Sequence, residues 1–162
     1  MQIRDATLND LPAVVAIYNT TVPSRMVTAD LEPVPVESRI KWFEEHSPGR
    51  RPLWVAEEKG QIAGWLSYSS FYGRPAYHAT CELSLYLAPE FRGRGLGSRL
   101  LSRAIEHAPR IEATTLLGFI FGHNQASLRL FEKHGFERWG CLPRVAVLDG
   151  IERDLIIEGR RV

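Results

Sequence analysis

The sequence predicts a single α/β domain, on three observations. Apolar residues recur with period two in some segments and with period near 3.6 in others, and the two kinds of segment alternate along the chain. The stretch EFRGRGLGSRL, Glu90 to Leu100, sets three glycines at alternate positions among arginines, where a strand pattern gives way to a helical one. The chain has 162 residues, 44% of them hydrophobic, with no low-complexity tract, repeat or linker. That is enough to close one real core.

The elements follow in order. Gln2 to Asp5 reads as a short strand, and Leu11, Val14, Val15, Ile17 and Tyr18 supply the apolar face of a first helix. Pro12 fits only its first turn, where no backbone N–H is needed. Pro23 to Pro35 carries three prolines and little periodicity, which predicts a long loop and a wall for a substrate. A helix follows over roughly Val36 to His46, with Ile40 and Phe43 facing inward. LWVAEE and IAGWLSYSSF, split by Lys59-Gly60-Gln61, read as a β-hairpin, and ATCELSLYL as a further strand. Gly97 to Ala108 is a helix with Leu100, Leu101, Ala104 and Ile105 on one side; TTLLGFIF is a buried strand; Asn124 to His134 is a fourth helix. Gly135 stands where a helix end needs a left-handed residue, and VAVLDG with ERDLIIEG closes the chain as a hairpin.

Composition limits the function. With 20 Lys+Arg against 19 Asp+Glu the formal charge is +1, which argues against a nucleic-acid or anionic-membrane binder. The N-terminus MQIRDATLND has no apolar signal core, and the apolar run near Leu116 to Phe121 is too short for a membrane span. The expected compartment is the cytoplasm. Cys81 and Cys141 lie far apart without metal-ligand spacing, so buried reduced thiols are expected and no metal.

Bare backbone between a strand and a helix suits an anion, because unpaired N–H groups and the positive end of the helix dipole converge there. The stretch lacks the Gly-Lys-Ser/Thr ending of a nucleotide P-loop and the glycine spacing of a dinucleotide fold. On the strand ELSLYL, period two puts Glu82, Ser84 and Tyr86 on one face and Leu83, Leu85 and Leu87 on the other. A polar row on a buried strand, next to an anion loop, reads as the border of a reaction site.

Arg92-Gly93-Arg94-Gly95-Leu96-Gly97 resembles the Arg/Gln-x-x-Gly-x-Gly/Ala pyrophosphate loop of the GNAT acetyltransferase superfamily. FYGRPAYHATCELSLYL and GHNQASLRLFEKHGF are similar to its phosphinothricin and methionine sulfoximine N-acetyltransferase branch, and the resemblance extends to NTTVPSRMVTADLEPV. It implies a GNAT fold, a mixed twisted sheet flanked by helices, spanning residues 1–162. It also implies acetyl-CoA as co-substrate, a small amino-acid-like amine as acceptor, and a homodimer. The resemblance assigns the backbone of Leu85, Tyr86 and Leu87 to the pantetheine arm. The loop Arg92 to Ser98 would take pyrophosphate, and Asn124, Ser127 and Lys133 would lie near the same cofactor.

The resemblance also implies an acceptor segment at Tyr72, Gly73 and Arg74, with Glu82 and Ser84; Arg74 could grip a carboxylate or phosphinate bidentately. Met26 and Thr28 are candidate wall residues. Glu82 is the candidate base, directly or through water, with His78 and His123 as runners-up. Many GNAT enzymes carry a tyrosine where this chain has Phe131, which cannot protonate a departing thiolate. Two rival readings stay open: a protein-directed acetyltransferase, and a non-catalytic acyl-CoA sensor of the same fold.

Overall fold

The computed structural model describes residues 1–162. Seven strands form one sheet: β1 (Gln2–Asp5), β2 (Leu53–Glu58), β3 (Gln61–Ser70), β4 (Thr80–Leu87), β5 (Thr115–Phe121), β6 (Glu137–Leu148) and β7 (Ile151–Arg161), in the spatial order β1-β2-β3-β4-β5-β7-β6. All neighbours are antiparallel except β4 and β5. That one parallel pair needs a crossover, and α3 (Leu96–His107) makes it. The tight turns Lys59-Gly60 and Asp149-Gly150 both hold two consecutive positive φ angles, the requirement of a two-residue hairpin.

Helices cover both faces. On one side lie α1 (Leu11–Asn19) and α2 (Ile40–Glu44), where the Trp65 indole N–H donates to the Val14 carbonyl at 3.0 Å. On the other lie α3 and α4 (Gln125–Lys133), where the Tyr68 hydroxyl donates to the Ala104 carbonyl at 2.7 Å. Both aromatic side chains are buried, so each gains a large apolar contact while keeping its polar atom satisfied. Burial pushes the Tyr68 phenol far up, and it stays a neutral donor.

The feature that positions the site is a split in the sheet. β4 pairs with β5 only over Thr80 to Glu82, opposite Thr115 to Leu117, although the strands run on to Leu87 and Phe121. Beyond Glu82, β4 stays bonded to β3 and β5 to β7.

Four expectations change. The second helix is shorter than Val36 to His46: a 3-10 turn fills Val36–Arg39 and α2 has five residues. The tighter 3-10 winding rotates the face, so Ile40 is exposed and Trp42 instead packs edge-on against Trp65. The third helix starts one residue earlier, at Leu96. The last hairpin is longer than VAVLDG and ERDLIIEG, because β6 begins at Glu137 and passes through Pro143. An edge strand tolerates proline, and the register shift between Leu142 and Ala146 absorbs it. Cys141, on that edge, is exposed; Cys81 alone is buried.

Candidate active site

The glycine loop joins β4 to α3. Gly93 and Gly95 have φ of +71° and +78°, and a Cβ at either would meet nothing within 4 Å. The left-handed backbone demands glycine there, and the open space before it leaves the amides accessible to an anion. Gly97 differs: it is buried, and a Cβ would stand 3.2 Å from Leu130 Cδ2. Its bareness lets α3 approach α4. Leu96 is a core residue. Arg92 donates from Nε to the Leu87 carbonyl at 3.2 Å, and Arg94 sits over Phe91 and pairs with Glu58 at 3.4 Å. Both guanidinium groups thus fasten the loop while carrying charge beside it.

The split supplies a second row of backbone groups. The Ala79 carbonyl accepts from Thr114 and Thr115 on the β5 side, and the Ala88 N–H donates to Ala63 on the β3 side. Strand alternation between these anchors turns the N–H and C=O of Leu83, Leu85 and Leu87 toward β5, and those of Tyr86 toward β3. The Leu83 N–H closes the last bridge, on Leu117, and the Leu87 carbonyl takes Arg92; both backbone groups of Leu85 and the Leu87 N–H have no β5 partner. Lining the split from the α4 side are Asn124, Ser127, Leu130 and Phe131. Asn124 is buried and caps α4, accepting from the Ser127 N–H at 3.2 Å. Lys133 is exposed at the helix end.

On the α1–α2 face the split opens into a cleft of about 540 Å³. Glu82, Ser84 and Tyr86 form one wall, Val27, Thr28 and Ala29 of the long loop another, and Val145 and Ala146 of β6 a third. Burial alone pushes the Glu82 carboxyl above its ordinary range, with no neighbouring cation to pull it back. Tyr72, with φ of +53°, borders this cleft and is mostly exposed. Gly73 and Arg74 do not join it; they line an adjacent hollow with Arg50, Ser70 and His78. Met26 is likewise absent from the cleft wall, whereas Thr28 belongs to it. His78 is exposed and turned to the Pro75 carbonyl at 3.0 Å, and His123 Nε2 donates to the Arg25 carbonyl at 2.8 Å.

Residues 14–136 match the family described as Acetyltransferase (GNAT) family. The chain belongs to the GNAT acetyltransferases. It is 53% identical, over 100% of its own length and 99% of the other's, to a Bacillus subtilis (strain 168) protein named "Putative phosphinothricin acetyltransferase YwnH". It is 34% identical, over 94% of this chain and 90% of the relative, to an L-methionine sulfoximine/L-methionine sulfone acetyltransferase of Pseudomonas aeruginosa. A crystal structure of a phosphinothricin acetyltransferase from Sinorhizobium meliloti in complex with AcCoA superposes with a TM-score of 0.93 at 28% identity, covering 99% of this chain and 88% of that one.

In this GNAT chain the Phe131 ring packs over Gly118 and against Phe136, buried and without a proton to give. Sequence reasoning missed the bracing of the cleft wall at Thr28. The Tyr18 hydroxyl bonds both Thr28 Oγ1 and the Asp30 carboxylate. Arg39 reaches Asp30 at 3.0 Å and covers the Tyr18 ring at 4.9 Å. Tyr18 leans on Tyr86, which stacks on Trp65. Tyr18 reads as one more apolar position in a helical period, and nothing in that period marks it for a polar task.

Proposed function

We propose that this GNAT acetyltransferase, one catalytic domain over residues 1–162, moves the acetyl group of acetyl-CoA to the primary amine of a small amino acid of the phosphinothricin or methionine sulfoximine type. The observation that carries this reading is the junction at Glu82, where a split lined by free backbone groups meets a cleft walled by a half-buried carboxylate. The diphosphate rests on the amides of Gly93 to Ser98, and the pantetheine arm follows Leu85 and Leu87 as an added strand would. Acetyl-CoA supplies the activated acyl carbon, held as a thioester.

The chain's residues supply the rest. An amino-acid amine is mostly ammonium at neutral pH, so its proton must leave before the lone pair can attack. Glu82 takes it, directly or through one water, and its raised affinity for protons brings it closer to the working pH. The backbone N–H of Leu87 or Leu85 polarises the acyl oxygen. With Phe131 in place of a tyrosine, the thiolate takes its proton from water or from the amine, a modest demand because a thiol is a good leaving group. Attack is direct, within a ternary complex.

Two further readings belong here. A homodimer is supported by the exposed apolar residues Trp139, Val145, Val147 and Ile151 along the β6–β7 edge and by the prevalence of symmetric pairs. A cytoplasmic setting is supported by two unpaired cysteines. A panel of sulfoximine and phosphinate amino acids, ordinary amino acids and peptides, followed by thiol release, tests the main reading. Fast turnover of the tetrahedral analogues is expected. Equal rates on peptide amines would favour a protein-directed enzyme, and no turnover with any amine a sensor.

A further inference from the structure

His134 closes α4 beside the glycine loop, and neither sequence nor family resemblance gave it a task. Its ring makes two hydrogen bonds: Nδ1 lies 2.8 Å from the Leu130 carbonyl, and Nε2 lies 2.8 Å from Ser98 Oγ. The carbonyl can only accept, so in the neutral ring Nδ1 carries the hydrogen and Nε2 is the acceptor. Ser98 must then spend its single O–H on His134. What its oxygen offers the phosphate site is lone pairs alone, which repel phosphate oxygens. The imidazolium reverses this. Nε2–H donates to Ser98 Oγ, and the serine proton is free to point at the anion.

We propose that His134 is a positioning residue that couples acetyl-CoA binding to the uptake of a proton from solvent. The proton enters at Nε2, and its effect reaches the diphosphate through the hydroxyl of Ser98. This rests on the reading of Gly93 to Ser98 as the diphosphate loop. Three surroundings favour the charged ring once the ligand is present. His134 stands at the C-terminus of α4, the negative end of its dipole. The incoming diphosphate is anionic. Leu130 already accepts from Nδ1 in either state.

The charged groups about it are Glu132 and Lys133 on its own helix, Arg160 of β7, whose guanidinium bonds the His134 carbonyl, and Arg99, which follows Ser98 on α3 and reaches Met1. None of them bonds the ring, whose two nitrogens are taken by Leu130 and Ser98.

Calorimetric titration of acetyl-CoA, without acceptor, into the full chain at about pH 7.5, in two buffers of different ionisation enthalpy, counts the protons bound. His134→Gln is the reference, because its amide donates to Ser98 without titrating. The ligand's own phosphate titrates alike in both proteins and cancels in the difference. Wild type should take up more protons than His134→Gln, by up to about one per ligand, and its affinity should fall more steeply with rising pH, by at most about tenfold per unit. Ser98→Ala should lose most of that excess. The His134 ring resonance, assigned by its absence in His134→Gln, should titrate at higher pH with acetyl-CoA than without.

Equal proton counts in two proteins that both bind, an unmoved resonance, or full uptake in Ser98→Ala would overturn the coupling. Gly95→Val separates this from failure of the loop reading. If that folded variant binds acetyl-CoA as tightly as wild type, the loop assignment itself is wrong; if it loses binding while the proton counts agree, only the role of His134 falls.

Discussion

The two halves of the site are built on different principles. The proposed donor half is mostly local: seven consecutive residues, Arg92 to Ser98, and the free edge of the strand just before them, offering backbone amides, with α4 closing one side. The proposed acceptor half is assembled from five separated segments, the 27–29 loop, the turn after β3, β4, β5 and the β6–β7 hairpin, offering side chains. A ligand common to a family can be held by backbone, which substitution leaves in place, whereas a ligand that varies must be read by side chains on movable walls. Binding of the donor therefore depends on conformation at a few glycines, and choice of the acceptor on long-range packing.

Substitutions on either side of Glu82 should separate the halves. The largest effect is expected at the junction. Glu82→Gln should lower turnover by about 10²–10⁴-fold, the usual contribution of a general base, while calorimetry finds acetyl-CoA affinity retained. In wild type, activity should fall as pH drops through the raised Glu82 titration, an acid limb above the ordinary glutamate range that the variant lacks.

The same shift fixes a sign in stability. A carboxyl that holds its proton more tightly when folded makes its full contribution below its unfolded titration and loses it as pH rises through the folded one. Glu82→Gln should accordingly melt higher than wild type at neutral pH, with the two curves converging in acid. A stable variant with near-normal turnover and an unchanged pH profile would remove the base role and return attention to His78 and His123.

On the donor side, Gly95→Val forces a branched residue to a φ of +78°, a strain of about 1–3 kcal/mol that is relieved only by moving the amides. Acetyl-CoA affinity should fall roughly tenfold to hundredfold, with the acceptor Michaelis constant little changed. On the acceptor side, Asp30→Ala removes the shared partner of Tyr18 and Arg39. Steady-state kinetics should show the acceptor Michaelis constant rising roughly threefold to tenfold and acetyl-CoA affinity intact. The smallest effect belongs to Arg74→Ala. Arg74 lies in the neighbouring hollow and outside the cleft wall, so its pull on an anionic acceptor in the cleft is screened by solvent and a change of no more than about threefold is expected. A loss there larger than that of Asp30→Ala would move the acceptor's anion from the cleft to the hollow.

How far the sequence reached follows the same division. The glycine loop was legible because its demand is conformational and contiguous: a positive φ at Gly93 and Gly95 and a helix start at Leu96 leave a mark in residue type. The row Glu82, Ser84, Tyr86 was legible because strand alternation has a fixed period. Gly97 was read only as part of the glycine loop, and its bareness also serves the approach of Leu130 on another helix. Arg74 was read beside Tyr72 and Glu82, and the turn at Tyr72 and Gly73 sends it into a different hollow. Ile40 was read as facing inward with Phe43; it is exposed, and Trp42 packs on Trp65, because a 3-10 turn begins their helix, which no period of 3.6 anticipates.

By itself the sequence determined the alternation of elements, the glycine turn into α3 and the polar face of β4, since each rests on neighbours in the chain and on backbone sterics. Only the tertiary structure decided that β4 and β5 part after Glu82, that Tyr18 and Asp30 brace Thr28, and that His134 meets Ser98. Those contacts join residues that are distant in the chain or set on different elements, and their partners are chosen by packing, which local pattern does not encode.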